Sequence, residues 1–204
     1  MLKTNNSFTP LLDFERSVAE FFGSPYAVAT DCCTHAIEMC LRLKKYDSLN
    51  IPAKTYVSIP FMLEKINHSY KLVDKNWRDF YYVAPDIIDA AVHWQRNSYL
   101  AGTKMCLSFH FKKHINIGRG GMILLDNEEE KNRLVRMRHD GRPIYDGVLY
   151  AEEDITEIGY HYYMTPETAT IGLEIFNNVK DNLPIRRGSA DYRDLRKYTF
   201  FEKK

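Results

Sequence analysis

The chain has 204 residues, enough for one well-buried core and short for two catalytic domains. Its 28 Lys and Arg against 27 Asp and Glu leave a formal charge of +1, which excludes a global field recruiting nucleic acid or an anionic membrane. No apolar run approaches the roughly 18 residues of a membrane span, and MLKTNNSFTPLLDFE lacks the hydrophobic segment of a signal peptide. The cysteines, Cys32, Cys33, Cys40 and Cys106, match neither a zinc pattern nor a secreted disulfide framework, so a cytoplasmic protein with reduced thiols is expected.

In chain order, Phe14, Val18, Phe21 and Phe22 recur at the i, i+4, i+7, i+8 spacing of a helix with one apolar face, and Gly23 supplies its stop. "YAVAT" (Tyr26 to Thr30) is the continuous apolar run of a strand covered on both faces. It feeds a helix in which Ala36, Met39, Cys40 and Leu43 share a face, capped by Asp31 or Thr34. The alternation continues with "TYVSI" around Tyr56, a helix starting near Pro60 and "YKLVD" ending at Asp74. "DIIDAAV" (Asp86 to Val92), "KMCLSF" (Lys104 to Phe109) and "GGMILLD" read as further buried strands. "NEEEKNRLVRMRHDG" is a helix capped by Asn127, with Glu128 to Glu130 at its positive end and Arg136 and Arg138 at its negative end. A last clear helix starts at Thr165 and Pro166. Beyond Asn182 the sequence turns polar and basic, as a surface helix or tail. The expected fold is an α/β three-layer sandwich with a largely parallel sheet.

In such sheets ligands sit beyond the carboxyl ends of the strands, where helix N-termini also point. Thr34, Tyr56, Asp89, Ser108, His110 and Lys113 fall on that rim. A hydroxyl at a helix N-terminus suits a phosphate, a lysine suits a carbonyl, and an aspartate at a strand end suits a protonated ring nitrogen. Together these demands describe pyridoxal 5'-phosphate.

"FFGSPYAVATDCCTHAIEMCL", "IPAKTYVSIPFML", "IIDAAVHW", "SFHFKKHINIGRGGMILLDNEEEKNRLVRMRHDGR" and "GYHYYMTPETATIGLEIFNNV" resemble, in order and style, the DegT/DnrJ/StrS-type sugar aminotransferases, pyridoxal phosphate enzymes of fold type I. The resemblance implies that Lys113 forms the internal aldimine, with Lys112 as its solvent-facing or phosphate-side neighbour. It further implies that Asp89 keeps the pyridine nitrogen protonated, that Tyr56 stacks on the ring, and that Thr34, the Cys33 amide and Ser108 hold the phosphate. His110 and His161 complete the implied cofactor-binding set; the histidine spacing makes no zinc site, and no metal is expected. The implied reaction moves an amino group from an amino acid, glutamate by analogy, to a nucleotide-linked keto-sugar, in a homodimer with shared active sites.

Several positions depart from the family pattern. Cys33 replaces a glycine, Val92 a polar residue and Arg119 an acidic one, while His161 and Tyr163 replace an asparagine and an arginine. Relatives are longer between Tyr56 and Asp89 by roughly a βα unit, given about 30 residues for a full crossover. The chain also stops about where relatives enter a smaller C-terminal domain. The resemblance therefore implies a reduced large domain over residues 1–182, with 183–204 as the remnant of a small one. A degenerate, non-catalytic homologue acting as a binding or regulatory subunit is the alternative reading.

Overall fold

The computed structural model describes residues 7–142, 154–181 and 187–202. Helix α1 (Thr9–Phe22) takes Pro10 in its first turn, where the missing N–H costs nothing, and ends at Gly23 in the left-handed conformation, φ 75°. Strand β1 (Tyr26–Thr30) follows, then α2 (Cys33–Leu43), β2 (Leu49–Pro52), α3 (Ser58–Lys65) and β3 (Tyr70–Val73). Next come β4 (Tyr81–Ala84), β5 (Ile87–Asp89), β6 (Lys104–Ser108), β7 (Gly121–Leu125), α4 (Glu128–Met137) and α5 (Pro166–Val179). Two single 3-10 turns and a short α6 (Thr199–Glu202) close the described chain.

The layers follow from the period-two alternation of the strands. Ala27, Ala29, Ile88, Met105, Leu107, Met122 and Leu124 face α1 and α5, packing on Phe14, Phe22 and Phe176. Val28, Ile87, Cys106, Ile123 and Leu125 face the other way, onto Ile37, Cys40, Leu63 and Leu134 of α2, α3 and α4. The result is the expected α/β arrangement of three layers.

Strand direction corrects one part of the expectation. The five-stranded sheet runs β1-β7-β6-β5-β4, and only β5–β6 is parallel, while β1–β7, β6–β7 and β4–β5 are antiparallel. It is a mixed sheet. The cause is connection length: β4 turns into β5 through Pro85 and Asp86, and β6 reaches β7 through a loop without a crossover helix, both of which return the chain antiparallel. The second, two-stranded sheet pairs β2 and β3 in parallel across α3. Strands β1, β5 and β6 still share one direction, so their carboxyl ends meet at one edge.

Local corrections have local causes. "TYVSI" is loop and helix start, since Thr55 Oγ1 donates to the Tyr81 hydroxyl at 2.9 Å and Ser58 opens α3; the strand is the preceding Leu49–Pro52. The cap of α2 is Cys32, whose sulfur accepts from the His35 amide, in place of Asp31 or Thr34. Strand β5 stops at Asp89 because the chain turns there, His93 N donating to Ala90 O at 2.9 Å. Arg138 stands at the C-terminal end of α4, as expected, and is fully buried there, ion-paired to Glu15 of α1 and donating to Ala29 O of β1 at 2.6 Å. Glu15 Oε1 accepts in turn from Ala29 N at 2.7 Å.

One close approach fixes the site edge. A Cβ at Gly121 would stand 2.4 Å from the Cys32 carbonyl carbon and 2.5 Å from the Cys33 nitrogen, so β7 begins against the turn between β1 and α2. Gly121→Ala is expected to destabilise the protein by about 1–3 kcal/mol, because backbone must move to admit the methyl; urea denaturation measures it.

The last described segment packs back on the body. Asp79 N donates to Arg187 O and Ser189 N to Trp77 O, both at 2.9 Å, and Leu195 N donates to Ala53 O at 2.8 Å. The expected boundary at 182/183 lies outside the described residues.

Candidate active site

The carboxyl ends of β1, β5 and β6 open into a cavity of about 690 Å³, within the range of small-molecule sites. Cys33, Thr34, Tyr56, Asp89, Ser108, His110 and Lys113 all line it. His161 is not among the lining residues. A smaller chamber of about 250 Å³ shares Ser108, Lys113 and Arg187 with it and is backed by His93, Trp94 and His114.

Asp89 closes β5 and is buried. Its Oδ2 accepts from the Tyr81 hydroxyl at 2.9 Å and its Oδ1 from the Ala91 amide at 3.0 Å. Both donors are neutral. Burial therefore raises its carboxyl pKa, although these hydrogen bonds and the more distant charge of Lys113 pull the other way.

Lys113 is placed by the loop between β6 and β7. Phe109 N donates to Gly120 O at 2.9 Å, Ile117 N to Phe109 O at 3.1 Å and Phe111 N to Gly118 O at 3.2 Å, with Gly118 at φ 83° making the reversal and Ile115 buried beneath. Lys113 N donates to His110 O at 2.8 Å, and the side chain is half-buried. Burial pushes its ammonium pKa down, Arg187 adds to that push, and Asp89 and Cys33 oppose it. Lys112 is exposed, its ammonium 5.5 Å from the centre of the Phe111 ring.

Thr34 and Ser58 stand in the first turns of α2 and α3, their hydroxyls 2.8 Å apart. First-turn amides have no intrahelical acceptor, so two helix N-termini and two hydroxyls face one wall of the cavity, a setting for a phosphate. Tyr56 is 57% exposed at the mouth. Ser108 Oγ accepts from the His110 amide at 3.4 Å, and burial, then Lys113 and Lys112, push the His110 pKa down.

His161 lies elsewhere. Its side chain is 73% exposed and its Nδ1 is 3.0 Å from Asp140 Oδ2, while its backbone bridges His139 beyond the end of α4. Tyr163 meets His139 edge-on. The cause is the tight crossing of Gly159 on Gly141, where a Cβ on Gly159 would stand 1.7 Å from Gly141 N; it holds the 159–163 segment outside this chain's cavity.

Ser58, Trp77, Tyr81, Arg187 and Tyr192 also line or support the site, and the sequence reading missed them. Ser58 had a signal, a serine two positions before Pro60 at a helix start. Tyr81, Arg187 and Tyr192 had none, since they reach the site through the β4–β5 hairpin and the returning C-terminal segment.

The residues present fit a phosphorylated pyridine aldehyde. A buried carboxylate with only neutral donors suits a ring N–H⁺, an amine made less basic by burial suits a carbonyl, and the paired hydroxyls suit an anion.

The sequence profile of the DegT/DnrJ/EryC1/StrS aminotransferase family matches residues 6–101 and 97–196. Over 79 residues the chain is 38% identical to the uncharacterized protein MJ1066 of Methanocaldococcus jannaschii, covering 35% of this chain and 20% of that protein. Its fold is similar to AtS13 from Actinomadura melliaura, with a TM-score of 0.75 at 19% identity over 84% of this chain and 60% of that one. NtdA from Bacillus subtilis, solved with bound cofactor PMP, gives 0.71 at 18% over 84% of this chain and 48% of its own. PseC of Helicobacter pylori, an aminotransferase in the biosynthesis of pseudoaminic acid, gives 0.70 at 14% over 83% and 58%. The chain thus spans one fifth of the curated relative and about half to three fifths of these solved structures.

Proposed function

The chain belongs to the DegT/DnrJ/EryC1/StrS aminotransferase family, and from that premise we propose that it is a pyridoxal 5'-phosphate-dependent aminotransferase. The observation that carries this is that Lys113 and the buried Asp89 line one cavity. The amino donor is an amino acid, glutamate by analogy, and the acceptor a nucleotide-linked keto-sugar. Residues 1–182 form the part that resembles the family's large domain, and 183–204 a C-terminal segment outside it. The enzyme works in the cytoplasm.

When bound, the cofactor supplies an electrophilic aldehyde and an electron-withdrawing ring. Lys113 would hold it through Nζ, and its amine, when free, would carry a proton from the donor's α-carbon. Asp89 Oδ2, oriented by Tyr81, keeps the ring nitrogen protonated. Thr34, Ser58, Ser108 and the Cys33 amide hold the phosphate; Tyr56 covers the ring face. Arg187, Trp77 and Tyr192, brought in by the returning C-terminal segment or the loop it packs on, narrow the mouth and exclude water. His161 is exposed away from its own cavity, so in a homodimer it serves the partner's site.

Addition of pyridoxal phosphate is expected to produce a visible absorption band that borohydride fixes on the peptide containing Lys113, and glutamate is expected to bleach it. A wild-type protein giving no band would sink the proposal. The departures from the family pattern at His161 and Tyr163 favour a second reading, a binding or regulatory homologue; a band that no amino acid bleaches selects it.

A further inference from the structure

A second group of reactive side chains sits on the cavity wall and is not used above. Cys32 is half-exposed and lines the cavity, as does Arg119. The Asp31 carboxylate, the Cys32 sulfur and a His35 ring nitrogen all lie within 4.8 Å of one another. The Cys32 sulfur accepts from the His35 backbone amide at 3.5 Å, which places it at the first turn of α2. Asp31 Oδ1 meets His35 Nδ1 at 2.7 Å and Asp31 Oδ2 accepts from Arg119 at 2.6 Å. The His35 ring is clamped by stacking on Tyr162, centroids 3.7 Å apart and planes 11° apart. A nucleophile, an imidazole beside it and a carboxylate orienting that imidazole form the arrangement that activates a thiol.

The cysteines differ in a way that makes the group selective. Cys33 is buried with its Sγ donating to Cys106 O at 3.4 Å, and Cys40 and Cys106 are buried with their sulfurs 3.9 Å apart. Burial opposes charge on His35, but Asp31 and Cys32 outweigh it and push the imidazole up to about 9. An imidazolium and a guanidinium therefore stand beside the Cys32 sulfur at neutral pH, and both attract an incoming anion.

We propose that Cys32 is a nucleophilic modification site that exchanges with small, negatively charged disulfides, and that the adduct blocks the adjoining anion-binding wall at Thr34 and Ser58. In the exchange Cys32 Sγ gives its proton to solvent and attacks one sulfur of the disulfide. The new Sγ–S bond forms as the old S–S bond breaks. The second half leaves as a thiolate and is protonated by solvent. The disulfide is the oxidant, and a free thiol reverses the step. The thiol chemistry is independent of the aminotransferase reading; only its effect on cofactor entry rests on it.

Reaction of the folded full chain with dithiobis(nitrobenzoate), a dianionic disulfide, tests this. One equivalent is expected to react rapidly, with the other three released only by denaturant. Cys32→Ser, whose hydroxyl keeps the α2 cap, removes the rapid phase. His35→Gln slows it by about tenfold. Arg119→Ala slows the dianionic reagent and leaves neutral dithiodipyridine unchanged, which a loss of fold would not do, and inorganic phosphate protects the wild type. A rapid phase that survives Cys32→Ser, or wild-type rates in both His35→Gln and Arg119→Ala, overturns the proposal.

Discussion

On the proposed function, Lys113→Ala is expected to lower amino transfer by about four orders of magnitude, since proton transfer by one positioned base alone is worth about 10²–10⁴-fold and in that proposal the same amine also holds the cofactor. Lys113 reaches the cavity from a loop pinned by its own backbone hydrogen bonds and by the buried Ile115, so truncation removes the amine while leaving its surroundings in place. The visible band of the bound cofactor should vanish, and borohydride should fix no label. Lys112→Ala is the control, because that ammonium is exposed over Phe111. A band kept by Lys113→Ala and lost in Lys112→Ala would assign the covalent role to the wrong neighbour of the pair.

Glu15→Ala is expected to cost about 3–5 kcal/mol of stability, the usual penalty for removing one partner of a buried ion pair. Arg138 is fully buried, its Nε and Nη2 have no hydrogen-bond partner among the described residues, and Glu15 is the acid that compensates its charge. The same carboxylate also accepts from Ala29 N, so its loss strips a donor of β1 as well. At about 2–4 °C per kcal/mol for a chain of this size, the midpoint should fall by roughly ten degrees. Pairing Glu15→Ala with Arg138→Met should restore part of that, because no uncompensated charge then remains. Thermal and urea denaturation of the two single variants and the double variant measure the coupling; additive losses would show that the pair is not the source.

What was legible and what was not divide along a physical line. Helices α1, α4 and α5 carry local end signals, Gly23, Asn127 and Thr165 with Pro166, which act within one turn of the residues they stop or start. Strands β1, β6 and β7 are continuously buried and read as apolar runs. Their relative directions were not readable, because pairing is a long-range choice. Strand β4 hides among aromatic residues, and "TYVSI" has strand-like composition although Thr55 and Ser58 spend their hydroxyls on Tyr81 and Thr34. Similarly, Asp89 and Lys113 stand out by position after apolar strands, whereas Tyr81 and Arg187 matter only through the partners the fold brings to them.

The pairing of β1 with β7 joins Tyr26 to Leu125 and Thr30 to Gly121. During synthesis at about 5–20 residues per second, the first strand therefore waits roughly five to twenty seconds for its neighbour to leave the ribosome. Through that interval the edge of β1 lacks its partner strand, and the apolar face of α1 lacks the rest of the sheet and α5. Nascent chains halted before Gly121 should be the species that chaperones hold and that aggregate when chaperones are scarce.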